Sequence, residues 1–348
     1  MWSSYDIREI NLDSSREVEA VRAFLAGFDL TFDGAVDYTV AFYQDDEIIA
    51  AGSLAGEVLR NIAVSPRLQG EGLTANVVSH LMQQAGQRGI YHYFIYTKPS
   101  AAPMFAALGF KEIARVEPYA VLLESGLGSI TDYCREIAKK AKVLPAGSRA
   151  ALVVNCNPFT LGHQAVIARA ARENQAAVVL VVSEERSLFP FAVRFRLVRE
   201  GLAEYKNILV LPAGKYIVSS ATFPGYFTRG AATAIAQTRL DATVFARYIA
   251  PALGVTRRYV GDEPYCETTS SYNQAMAEIL PQYGISLKIM PRITTGGEAI
   301  SASRVRELIR HDEWAAVKDL VPETTYRYLT STEAQPIIAH IKHSHSRH

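Results

Sequence analysis

Two short stretches of the chain combine hydroxyls, a glycine and cationic or imidazole side chains at helical spacing. The first, Thr160-Leu161-Gly162-His163, follows the apolar run "ALVV" and the loop "NCNPF", and it opens a helical pattern. Helix N-terminal amides favour anions, and a glycine there lets a phosphate approach the backbone. Thr160 and His163, three residues apart, fall on one face and can both address that anion. His163 is placed to stabilise charge developing on phosphate oxygens during displacement at phosphorus. The second stretch, "ISASRVR" at 300–306, leads into another helix. Ser301 and Ser303 can donate to phosphate, and Arg306 can bridge β- and γ-oxygens. The chemistry these residues suit is phosphoryl or nucleotidyl transfer. For the first motif the plainer alternative is a capped turn with a satisfied histidine.

A third glycine-bearing stretch lies in the first half. Arg67, Gly70 and Gly72 are spaced R-x-x-G-x-G after a strand pattern and before the helical pattern "GLTANVVSHLMQQAGQRG". Such a loop fits a pyrophosphate held by helix-terminal amides, and a glycine turn is the alternative. Glu57, just upstream of the preceding strand, is a candidate base but reads more economically as a surface carboxylate. Cys156 has no base near it in sequence and is given no catalytic part.

The elements that must position these residues fall into two rhythms. Residues up to about 125 alternate short β-branched and aromatic strands with helices. From about 148, the apolar runs "ALVV", "AAVVLVV", "NILVLPA", "RRYVG" and "SLKIMPRI" alternate with helical patterns. That pattern predicts a doubly wound parallel α/β sheet with its ligand beyond the C-terminal strand ends. The expected division is 1–128, a connecting helix and linker at 129–147, a nucleotide-handling domain at 148–330 and a polar tail at 331–348. The His-rich end "HIKHSHSRH" reads as an unstructured or non-native tail rather than a metal site.

Composition narrows the function classes. The 348 residues exceed what one core usually spans. The formal net charge of +1 gives no basis for a nucleic-acid coat or a polybasic membrane arm. Three scattered cysteines without a CxxC pair argue against a disulfide framework. The start "MWSSYDIREI" lacks the pattern of a signal peptide, and no apolar run is long enough to span a bilayer. A cytoplasmic protein is expected, with no membrane or nucleic-acid partner.

The R-x-x-G-x-G spacing resembles the acyl-CoA pyrophosphate loop of GCN5-related N-acetyltransferases, and "AAPMFAALGFKEI" resembles that family's closing segment. The pair T-x-G-H and I-S-x-S-x-x-R resembles the signatures of the nucleotidyltransferase superfamily. Across almost the whole chain, "NPFTLGH", "GKYIVSSATFPGYFTR", "YVGDEPY", "TTSSYNQAM" and "ISASRVR" resemble the [citrate (pro-3S)-lyase] ligases. This resemblance implies an N-terminal acetyltransferase-like domain and a C-terminal nucleotidyltransferase domain. The implied activity is acetylation, through acetyl-adenylate, of the thiol on the dephospho-CoA-type prosthetic group of the citrate lyase acyl carrier subunit. The implied substrates are ATP, with Mg²⁺, and acetate; the implied products are AMP and diphosphate.

On that resemblance, Thr160, His163, Lys215 and Arg306 are expected in catalysis. Asn157, Pro158, Phe159, Gly162, Gly261, Asp262, Arg292, Ser301 and Ser303 are expected around ATP, and no protein metal site is expected. Arg67, Gly70, Gly72, Ser219 and Ser220 are expected to hold the acyl or CoA-like group. Arg229 is a further candidate cation, and Phe223 and Tyr226 candidate walls of a small acyl pocket. Two other readings stand: an adenylyltransferase of CoA or NAD precursor synthesis, and an acetyl-CoA-dependent N-acetyltransferase with a nucleotide-binding partner domain. A non-catalytic regulator is the third, disfavoured by the co-occurrence of Thr160, His163, Ser301 and Arg306.

Overall fold

A computed structural model describes residues 5–185, 187–217, 223, 225–228, 231–262, 267–295 and 298–343. Contacts divide the chain into two units: residues 1–130 with 223–236, and residues 131–222 with 237–348.

In the first unit the elements run β1 (Asp6–Glu9), α1 (Ser15–Ala26), β2 (Tyr38–Gln44), β3 (Glu47–Ala55), β4 (Val58–Val64), α2 (Leu73–Gln87), β5 (His92–Thr97), α3 (Ala102–Ala107), β6 (Lys111–Val116) and β7 (Ala120–Gly126). They build one mixed sheet in the order β1-β2-β3-β4-β5-β7-β6. β4 and β5 are parallel, with register recorded at Val58↔Phe94, and the other pairings are antiparallel. α2 lays Val77, Val78, Leu81 and Ala85 on the sheet. Their i, i+4, i+8 spacing is the apolar stripe expected of a surface helix.

Residues 223–236 return to this first unit although they lie in the second half of the sequence. Tyr226 is buried, its hydroxyl donates to the Tyr96 carbonyl at 2.5 Å, and its own carbonyl accepts from Thr31 N at 2.8 Å. The Arg60 guanidinium lies 4.8 Å from the centroid of its ring. Phe223 packs edge-on against Tyr96, with centroids 5.5 Å apart. Phe223 and Tyr226, candidate walls of a small acyl pocket, thus pack in the first unit, where Tyr226 also lines a cavity of about 140 Å³ with Phe28, Ile62, Thr97 and Phe227. Their apolar surface and hydroxyl are used in the first unit's packing.

The second unit continues with α4 (Ile130–Lys140), β8 (Arg149–Val154), α5 (Leu161–Glu173), β9 (Ala176–Val181), α6 (Phe191–Gly201), β10 (Ile208–Pro212), α7 (Ala231–Val244, its residues up to Ala236 counted with the first unit), α8 (Ala250–Leu253), β11 (Arg257–Gly261), α9 (Glu267–Ile279), β12 (Ser286–Met290), α10 (Ala302–Arg310), α11 (Trp314–Lys318), α12 (Glu323–Leu329) and α13 (Gln335–His343). Its sheet has the order β10-β9-β8-β11-β12, and all its pairs are parallel. β9 is buried along its full length, the reason its sequence is continuously apolar. Chain order reverses direction beside β8, so the crevice beyond β8 and β11 is a topological switch point. The β8–β11 register covers Ala150↔Arg257 and Ala151↔Arg258, near the strand starts.

The segment expected as a polar tail from 331 is packed structure over its described part. Ala334, Ile338 and Ile341 are buried in the second unit's core. Their i, i+4, i+7 spacing makes one apolar helix face despite the flanking histidines. Among the described residues no helix is long and apolar enough to cross a membrane.

Candidate active site

A cavity of about 520 Å³ opens at the switch point of the second unit. Its walls are the ends of β8 and β11, and two helix starts converge on it: Thr160, Gly162 and His163 from α5, and Ser301, Ala302 and Ser303 from α10. Each start is capped by a hydroxyl. Thr160 Oγ1 accepts from His163 N, and Ser301 Oγ accepts from Arg304 N. Leu161 N donates to the Leu320 carbonyl at 2.9 Å, and the other first-turn amides have no intrahelical acceptor. Two N-terminal dipoles facing one cavity make a strong locus for a polyanion.

Gly162 is required by the closeness of these two helix starts. A Cβ at this position would lie 2.9 Å from the Ile300 carbonyl oxygen, immediately before the α10 cap.

His163 is held in one tautomer. Its Nδ1 lies 3.1 Å from Thr160 N and 2.8 Å from Thr160 Oγ1. A backbone N–H can only donate, so Nδ1 accepts and the ring proton sits on Nε2. The ring stacks on buried Phe159, centroids 6.1 Å apart. Burial, with the Arg292 charge adding to it, lowers the imidazole pKa to about 4. At neutral pH the site therefore presents a neutral Nε2–H donor.

The loop "NCNPF" lies behind the cavity wall. Cys156 adopts φ +55°, and Asn157–Pro158 is cis. Asn157 Oδ1 accepts from Phe189 N at 3.0 Å, and the Asn157 carbonyl accepts from Arg306 Nη1 at 2.5 Å. Phe159 is fully buried. Asn157, Pro158 and Phe159 are thus placed to shape the loop, while Asn155 contributes the wall. Burial pushes the Cys156 thiol well above its ordinary range, against any use as a nucleophile.

Arg306, expected to bridge phosphate oxygens, is buried, bonded to Asn157 O and 3.4 Å from Ser303 Oγ. It ties the loop after β8 to the start of α10. Gly261, Asp262 and Arg292 line the cavity, and Arg292 Nε donates to the Asp262 carbonyl at 2.9 Å. Lys215 is exposed on the turn after β10, apart from the cavity's lining residues. Ser219, Ser220 and Arg229 lie outside the described residues.

In the first unit, the loop after β4 carries Arg67, Gly70 and Gly72. Gly70 and Gly72 have φ of +90° and +79°, conformations that favour glycine, and open space surrounds both. Gly72 caps the start of α2. Arg67 is exposed and pairs with Glu47 at 3.2 Å. Glu57 sits at the opposite end of β4, roughly 20 Å along the strand.

The descriptor of the citrate lyase ligase C-terminal domain matches residues 149–329, and that of the acetyltransferase (GNAT) family matches residues 4–110. A [citrate [pro-3S]-lyase] ligase of Klebsiella pneumoniae is 36% identical over 316 residues, 89% of this chain and 92% of that protein. The chain belongs to the citrate lyase ligase family. The Escherichia coli (strain K12) enzyme of the same name is 34% identical over 335 residues, 94% of this chain and 95% of its own. As a member of this family the chain is a ligase carrying an acetyltransferase-like first unit.

Residues that support the cavity went unread in the sequence. Arg194, fully buried, donates to the carbonyls of Phe189, Asn155, Val182 and Glu184 and to Asn155 Oδ1. One guanidinium thus joins the ends of β8 and β9 to the loop before α6. Its only sequence signal is a cation inside the helical apolar pattern of α6. Tyr272 and Asn273 also line the cavity, within the quoted "TTSSYNQAM" but given no role there.

Proposed function

We propose that the protein is an ATP-dependent acetate ligase that acetylates a thiol on the CoA-like prosthetic group of the citrate lyase acyl carrier. The observation that carries this reading is the convergence of two helix N-termini and the His163 Nε2–H on one switch-point cavity. That arrangement suits a triphosphate at one end and a nucleoside at the other.

Acetate resists thiols because its oxide is a poor leaving group. In the proposed route an acetate oxygen attacks the α-phosphorus of ATP, the bond to the β-phosphate breaks, and diphosphate departs. The carrier thiol, giving up its proton, then attacks the acetyl carbon, and AMP leaves with the electron pair of the anhydride bond. No enzyme nucleophile is needed, so positioning and charge stabilisation supply the rate. His163 donates from Nε2 to an oxygen gaining charge at phosphorus, and its low pKa keeps that donor neutral. Thr160 fixes the imidazole, and Ser301 and Ser303 add hydroxyls at the other helix start. Arg292 supplies positive charge within the cavity. Lys215 and Arg229 are assigned to the departing diphosphate or to acetate.

Mg²⁺ binding is compatible with this donor set. Among the described residues no group of three or more His, Cys, Asp or Glu side chains could hold a metal, yet Asp262 gives the cavity a carboxylate. Mg²⁺ commonly binds through substrate phosphates with one or two carboxylates. When bound it would neutralise charge on the phosphates.

In the first unit, Arg67 and the amides around Gly70 and Gly72 are assigned to the diphosphate of the carrier's prosthetic group, without acyl chemistry of their own. Ser219 and Ser220 are assigned to the acyl group. The deciding assay supplies ATP, Mg²⁺, acetate and deacetylated citrate lyase. AMP together with restored lyase activity is expected; ADP would overturn the adenylate route. Arg67→Ala combined with Gly70→Ala should raise the carrier's KM, and an unchanged KM would remove the first unit from carrier binding.

A further inference from the structure

The cavity contains a polar group that neither phosphate nor acetate can satisfy. Asn273 lines it and is 9% exposed, and among the described residues its buried Oδ1 accepts no hydrogen bond. An unmet buried acceptor is costly unless a ligand supplies a donor. Phosphate oxygens and carboxylate oxygens are acceptors only, so they leave it unmet. The substrates of the proposed reaction offer few donors: the adenine amino group, the ribose hydroxyls and groups on the carrier.

The amide also carries two N–H donors beside that acceptor. An acceptor next to a donor complements the adenine edge, where the N6 amino group neighbours the N7 acceptor. Guanine presents N7 and O6, two acceptors, and would leave Oδ1 without a partner. The amide is also well positioned. The neighbouring Tyr272 hydroxyl donates to buried Asp241 and accepts from Arg258 Nη2 at 3.3 Å. Arg258 is itself buried, 4.0 Å from the centroid of the Phe245 ring. Tyr272 thus anchors α9 to α7 and β11, and the next residue faces the cavity from a fixed helix.

We propose that Asn273 reads the adenine base, its Oδ1 accepting from N6–H and its Nδ2 donating to N7, and so selects ATP over other nucleotides. This inference rests on the ATP-dependent reading above.

The test uses the full-length protein with acetate, deacetylated lyase and three nucleotides: ATP, purine riboside triphosphate (no amino group) and 7-deaza-ATP (no N7). Ratios of kcat/KM between nucleotides on one protein sample are independent of the fraction folded. The wild type should favour ATP over each analogue by about 10- to 100-fold, the range of a bidentate amide–base pair. Asn273→Ala should bring both ratios close to one. Asn273→Asp keeps an acceptor for N6 but sets an oxygen against N7, so it should prefer 7-deaza-ATP to ATP. Equal use of all three nucleotides by the wild type would overturn the assignment, as would unchanged ratios in both variants. Should Asn273→Ala fail to fold, the inversion expected of Asn273→Asp still decides. Failure of the wild type to use any nucleotide would instead overturn the ATP-dependent reading.

Discussion

Gly162→Ala separates two effects of opposite sign. Gly162 sits in the first turn of α5 and is not among the positive-φ glycines, so alanine is compatible with its backbone. Helix propensity alone would make alanine stabilising by about 0.8–1 kcal/mol. The added Cβ, however, would lie 2.9 Å from the Ile300 carbonyl, about 0.5 Å inside the 3.4 Å at which ordinary contact begins. The obstacle is backbone, and it immediately precedes the Ser301 cap of α10. Overpacking of this kind costs about 1–3 kcal/mol, so a net loss of about 1 kcal/mol in a urea melt is expected. Catalysis should suffer more than stability. Moving one anion-binding helix start by about 0.5 Å should lower kcat/KM for ATP about 10-fold, given that 1 Å can cost about 100-fold. The assay follows AMP formation under saturating acetate and carrier. If the variant were more stable than wild type and equally active, the joint action of the two helix starts would be refuted.

Two further expectations follow from buried groups. The His163 pKa is lowered in the folded state, so the unfolded chain takes up the proton first as pH falls. Stability from this group is present above about 6.5 and is lost as pH falls toward about 4. Between pH 7 and 5 the wild type should lose about 2 kcal/mol more than His163→Asn, read from urea midpoints; an equal or opposite change would contradict the neutral assignment. Tyr226→Phe removes the donor to the Tyr96 carbonyl and should cost about 1–2 kcal/mol. Its effect should appear as faster hydrogen exchange around β5 of the first unit, and exchange unchanged there would contradict the packing described.

Much of the second unit was legible because buried parallel strands leave apolar runs: "ALVV" lies in β8, and "AAVVLVV" overlaps the fully buried β9. The two cavity-lining helix starts were legible for a local reason: hydroxyl caps and glycine at helix starts leave a signature within a few residues. Residues whose roles depend on distant partners were not legible. Tyr226 looks the same in sequence whether it walls an acyl pocket or packs on Tyr96, 130 residues away. The bond from Arg306 to the Asn157 carbonyl, 149 residues earlier, was not legible because a backbone atom has no sequence identity. Asn273 lies within the family-like "TTSSYNQAM" but drew no role, since an amide on a helix is ordinary until its burial and unmet acceptor are seen.

The most direct test of the adenylate route follows the oxygen atoms of acetate. With acetate labelled by ¹⁸O in both positions, the oxygen that attacks the α-phosphorus stays on the nucleotide when the thiol takes the acetyl group. Mass spectrometry of the products should therefore find AMP carrying one ¹⁸O per thioester formed. Unlabelled AMP, or label appearing in inorganic phosphate alongside ADP, would contradict the account.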